Sequence, residues 1–141
     1  MLKALTFLMA LAADVEYEVV GHTEIDTFQA GAADTLYKGG IMNVGTDGYL
    51  KVAADVADEY PAGVMVKNHV SDGSSHESVR VESGKIWIAH AGAEQADVST
   101  LKYATADDTL ADSATNVGPL GLCIGWKTGY LLIDTRKKAL S

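Results

Sequence analysis

One cysteine, two prolines and two phenylalanines stand among the 141 residues of this chain, and acidic residues outnumber basic ones, 19 to 11. Each scarcity removes a class of explanation. The lone Cys123 excludes an intrachain disulfide framework and any Cys-based zinc cluster. In GPLGLCIGWK it reads as a small buried hydrophobe. The formal charge of −8 argues against nucleic acid, whose capture needs clustered Lys and Arg to displace phosphate counterions. The only basic cluster, TRKK from Thr135 to Lys138, reads as a solvated tail. No apolar run approaches the ~20 residues that span a bilayer, so no membrane role is expected.

Signatures of catalysis are scarce as well. His22, His69, His76 and His90 are all more than five residues apart, and none belongs to an HExxH or HxH arrangement. Asp107, Asp108 and Asp112 lack the spacing and the closing Glu of a calcium loop, and Asp-Asp at a turn is explained by turn propensity. KGGIMNVG (residues 38–45) lacks the helix that a phosphate cradle uses, and no G-x-S-x-G elbow offers a serine nucleophile. The expectation is a protein with no catalytic residue, no metal and no cofactor.

What the chain does have is β pattern. From Tyr17 onward, short runs rich in Val, Ile, Leu, Tyr and Trp are divided by glycine turns. TLYKGGIMNV and GYLKVAA flank a turn at residues 46–48. ESVRVES and KIWIAHA meet at Ser83-Gly84, read as another reversal. LKYAT and TLADSA surround residues 106–108, and PLGLCIGW and YLLIDT flank residues 127–129. Alternation turns Val79 and Val81 inward, and likewise sets Ile86 and Ile88 on one face with Trp87 on the other. Both prolines precede apolar runs, where a missing N–H costs a sheet least. The segment Ser71 to Glu77, SDGSSHE, is small and polar and reads as the most flexible loop. The expected class is all-β, a small barrel or sandwich, with residues 15–141 forming a single domain.

The first fourteen residues, MLKALTFLMALAAD, stand apart. Lys3, the apolar run 4–11 and Ala10-Leu11-Ala12 imitate a secretory signal, but the run is short and preceded by one basic residue. The alternative reading is a working apolar arm over residues 1–14. If helical, Leu2, Leu5, Met9 and Ala12 form one stripe, flanked by Leu8 and Leu11, with Phe7 on the remaining circumference. Such a segment needs contacts on more than one side. Burying its large side chains would contribute about 1.5–3 kcal/mol each before ordering costs.

The order of segments resembles the tailed-phage capsid decoration (cement) proteins. The resemblance rests on Thr35, Tyr37, Gly39, Gly48-Tyr49, Gly63-Val64, Gly84 with Trp87, and Tyr103. Asp107-Asp108 with Leu110, and the stretch from Gly121 through Leu132, complete it. It covers roughly residues 15–135; the apolar start does not map onto the family. The resemblance implies a small β-barrel or β-tulip domain, made in the bacterial cytoplasm, that binds the exterior of the mature head. There it would sit as a homotrimer, tying neighbouring major capsid protein subunits together without catalysis. Under that reading Leu2, Leu5, Phe7, Leu8, Met9 and Leu11 are candidate contacts to the capsid or a neighbouring subunit. Trp87 and Trp126 are further candidates, since aromatics are enriched at interface centres. Two other readings compete. One is a surface-exposed module that recognises a host glycan or receptor through loops such as 71–77, and exposed aromatics beside them would favour it. The other is an enzyme whose site is assembled from distant strands, and a pocket holding two histidines with an acid would favour that.

Overall fold

The structure is a computed structural model that describes residues 11–139. It is all-β: a strongly curled antiparallel sheet forms a half-barrel, and the described residues contain no α-helix. The strands are β1 (Glu18–Gln29), β2 (Thr35–Leu36), β3 (Ile41–Val44), β4 (Leu50–Val52), β5 (Tyr60–Met65) and β6 (His69–Val70). They continue with β7 (Ser78–Ala89), β8 (Leu101–Ala106), β9 (Thr109–Ala111), β10 (Gly121–Lys127) and β11 (Tyr130–Asp134). The main sheet runs β4-β3-β5-β7-β11-β10-β8-β9, with β1 also on β7, while β2 and β6 pair separately.

The turns expected at 46–48, 106–108 and 127–129 are hairpins β3–β4, β8–β9 and β10–β11. The reversal expected at Ser83-Gly84 is not a reversal. Residues 78–89 form one continuous strand, β7, which kinks where Gly84 takes φ +146. The kink inverts the pleat, so Val79 and Val81 are buried on one side of it and Ile86 and Ile88 beyond it. Two hydrophobic clusters result. Val79 and Val81 join Leu36, Met42, Leu50 and Met65, whereas Ile86 and Ile88 join Val64, Leu120, Leu131 and Ile133. Neighbours on β3 and β5 divide in the same way, Ile41 and Val64 to one core, Met42 and Met65 to the other. β3 is buried at all four positions, and in IMNV the one polar residue, Asn43, donates its side-chain amide to Ala54 C=O (3.1 Å).

A kink frees backbone groups that must be satisfied. Thr135 does this: its hydroxyl accepts from Gly84 N–H (2.8 Å) and donates to Gly84 C=O (3.1 Å), and its own N–H donates to the same oxygen (2.9 Å). Opposite, β1 carries a bulge at residues 21–23, where Gly21 has φ +70 and Thr23 packs against the Cα of Gly84. A side chain at residue 84 would collide with Thr23, so glycine is required on steric as well as conformational grounds.

Candidate interaction surface

Three features converge at the C-terminal end of β7. The first is the root of the N-terminal segment. Residues 11–17 lie across the tight bend at Lys38-Gly39: Val15 N–H donates to Lys38 C=O (2.9 Å), and Lys38 N–H donates to the Asp14 carboxylate (3.0 Å). Lys38 Nζ also pairs with Glu16 at 2.8 Å. Tyr17 Oη donates to Glu82 Oε1 (2.7 Å), and burial together with that carboxylate pushes the phenol well above its usual range. Leu11, half-buried, donates its N–H to Asp107 Oδ1 at 2.8 Å.

Asp107 is the second feature. It sits in the β8–β9 turn, 1% exposed, and its C=O accepts from Ile41 N–H. Its other carboxylate oxygen, Oδ2, has no hydrogen-bond partner among the described residues. Burial pushes its pKa up to about 6; the Leu11 N–H opposes that, and the neighbouring Asp108 charge adds to it.

The third is a cleft of about 300 Å³ between these groups and the sheet. Val64, Ile86 and Ile88 form its apolar base, and Trp87, Ala89 and Tyr130 extend the wall. Lys127 lies between two aromatic rings, 4.5 Å from the centre of Trp87 and 5.3 Å from that of Tyr130, and pairs with Glu18 at 2.7 Å. Cation–π contact with two rings fixes this side chain on an otherwise exposed surface.

Of the candidate contact residues, Leu2, Leu5, Phe7, Leu8 and Met9 lie outside the described residues. Leu11 and Trp87 are brought together on the same cleft. Trp126 is not part of it. The residue is 40% exposed, and its Nε1–H donates to Gln95 Oε1 (2.9 Å) in the 3-10 turn Gln95–Asp97. Sequence reasoning missed Tyr130 and Asp107 as members of the site. The strand runs expected from Tyr17 onward include β1; what carried no sequence signal is its open edge, since this twelve-residue strand pairs only with β7 among the described residues and leaves Val19, Val20 and Ile25 exposed.

The features set as markers for the competing readings fall elsewhere. Loop 71–77 is anchored rather than loose: the Asp72 carboxylate accepts from the N–H groups of Ser74 and Ser75, and Ser71 Oγ donates to Gly31 C=O. His76 stacks on Tyr49 with ring centres 3.8 Å apart, so the aromatic beside this loop already has its face covered. Ser71 and Glu77 both approach the same nitrogen of His69, Nε2, at 3.3 and 3.6 Å. A serine-histidine-acid relay needs them on opposite nitrogens, so this trio is a structural contact. No group of three or more His, Cys, Asp or Glu among the described residues is placed to hold a metal.

On β8 a buried lysine is held by two carboxylates. Lys102, 1% exposed, donates to Asp97 Oδ1 (2.7 Å) and to Asp112. Burial alone would lower the Lys102 pKa, and the two carboxylates more than reverse that. Comparison with family models, with curated proteins and with solved structures finds no match for the chain.

Proposed function

We propose that this chain is a decoration protein of a tailed-phage head. It binds the outside of the mature capsid as a homotrimer and ties neighbouring major capsid protein subunits together, with no catalytic step. The observation that carries the reading is β1: a long strand with one edge unpaired among the described residues, bearing exposed Val19, Val20 and Ile25 beside the Trp87–Tyr130 cleft. An open strand edge offers a row of N–H and C=O groups to a partner strand, and flanking apolar side chains add buried area. The acidic surface favours a partner face of opposite sign and speeds its capture. The order of glycine-and-strand segments, which resembles the decoration proteins, supports the same conclusion.

Reinforcement is the functional test. Expanded, DNA-filled heads lacking decoration are heated with and without the purified protein, and DNA release is followed with a nuclease-accessible dye. The proposal expects release at a higher temperature in the presence of the protein. Unchanged release at saturating protein contradicts it.

A further inference from the structure

We propose that the notch between the start of β7 and the turn after β5 binds a phosphate monoester. It lies at the opposite end of β7 from the Trp87–Tyr130 cleft, and the inference stands independently of the decoration reading.

The notch follows from the path of the chain. The β5–β7 ladder reaches Met65 opposite Val81, and one further bond, Val66 N–H to Arg80 C=O (3.2 Å), ends it. The chain then turns away through Lys67 and Asn68 into β6, which pairs with β2 instead of β7. The first residues of β7 keep β1 on one edge, where Gln29 faces Ser78 and Thr27 faces Arg80. On their other edge no strand follows among the described residues. Successive residues of an antiparallel ladder turn their N–H and C=O to alternate edges, so Ser78 shows its own to the edge that Arg80 shows to Val66. A pocket of about 260 Å³ occupies this gap, with Val66 and Val79 as its apolar part.

The rest of the lining is Lys67, Asn68, His69, Ser78 and Arg80, with no Asp or Glu among them. That is a local reversal on a chain whose acids outnumber its bases 19 to 11. Lys38, Lys51, Lys102 and Lys127 each pair with a carboxylate, whereas Lys67 and Arg80 have no such partner among the described residues. Residues 1–10 and 140–141 contain no Asp or Glu either, so they bring no side-chain carboxylate to these cations. The acids close by in sequence are engaged: Glu82 accepts from Tyr17 and Thr23, and Glu77 faces His69 Nε2 at 3.6 Å. Ser78 Oγ accepts from Gln29 (2.8 Å), which leaves its O–H to donate.

A guanidinium fork, an ammonium, a hydroxyl and a backbone N–H are the donors that phosphate oxygens take. A phosphate monoester carries about −1.5 to −2 charge near neutrality, which two cations balance, whereas a carboxylate carries only one. Val66 and Val79 suit a short carbon body on the ester.

The full chain is titrated at constant ionic strength with glycerol phosphate, inorganic phosphate and acetate, and its amide NMR shifts are followed. Glycerol phosphate should give saturable shifts centred on residues 66–69 and 78–80, with a Kd in about the millimolar range. Inorganic phosphate should bind less tightly, and acetate weaker than the ester by about tenfold. Arg80→Gln and Lys67→Gln should each weaken binding by about tenfold, while Lys137→Gln, which removes the same charge elsewhere, should change it by less than about twofold. The same spectra verify that each variant folds. Asn68→Asp, which puts a carboxylate on the exposed turn, provides a further variant and should abolish binding. Absence of saturable shifts overturns the proposal, as does equal weakening by Lys137→Gln, which would mark an adventitious ion only. Acetate or inorganic phosphate binding as tightly as the ester also overturns it.

Discussion

Replacing Asp107 with asparagine should remove a pH-dependent destabilisation that the wild-type protein carries near neutrality. The carboxyl is 1% exposed, with one oxygen unpartnered among the described residues, and its folded pKa stands at about 6 against the ordinary 3.8. Between those values the native state holds a proton that the unfolded state has released. Stability from this group is therefore greatest below pH 4, falls as pH rises through 6, and is level above about 7. The whole difference amounts to about 3 kcal/mol, at 1.36 kcal/mol for each pH unit between the two values. Integrating between pH 5 and pH 7 gives a loss of about 1.3 kcal/mol. Asparagine keeps Oδ1 for the Leu11 N–H but does not titrate, so contributions from other groups cancel when the two proteins are compared. Urea unfolding at a series of pH values should show the stability of Asp107→Asn relative to wild type rising by that amount from pH 5 to 7. Parallel pH profiles for the two proteins would refute the assignment of a buried, strained carboxylate at this position.

Three further changes probe other parts of the fold. Thr135→Val keeps the shape but removes the hydroxyl that both accepts from and donates to Gly84, and should cost about 1–3 kcal/mol in urea unfolding, with Thr135→Ser close to wild type. Lys102→Met leaves Asp97 without its cation and should destabilise by about 3 kcal/mol, an effect largely suppressed when Asp97→Asn is added. Cys123 is fully buried and burial raises its thiol pKa, so Ellman's reagent should label it no faster than the protein opens; rapid labelling of the native state would place it elsewhere.

Much of the fold was legible in the residues. Gly48 and Gly129, with φ +86 and +83, mark the hairpins β3–β4 and β10–β11, and the alternation of Ile86, Trp87 and Ile88 gave their faces. Ser83-Gly84 was misread because a glycine between two alternating runs has the same signature at a hairpin and at a kink. The difference lies in Thr135, fifty-one residues away, whose hydroxyl satisfies the backbone that a turn would otherwise have closed on itself. The strand character of β1 was legible in the runs that begin at Tyr17, but its open edge was not, because strand propensity does not say whether a second neighbour lies alongside. Leu11 and Trp87, both expected as contact residues, line the same cleft, whereas Trp126 lies outside it. Asp107 was assigned to a turn, where it is; its burial beneath the chain at Leu11 is a tertiary fact with no local signal. Loop 71–77 looked loose because no apolar residue anchors it, and the Tyr49–His76 stack that holds it joins residues 27 apart.

Binding to the shell is the most direct test of the proposed role. Purified protein is sedimented with expanded, undecorated heads of the parent phage, and with unexpanded precursor shells as the control. The account predicts saturable co-sedimentation with expanded heads alone, at a copy number in fixed ratio to the capsid subunits. Absence of binding to expanded heads, at concentrations where the protein is folded and in excess, contradicts it.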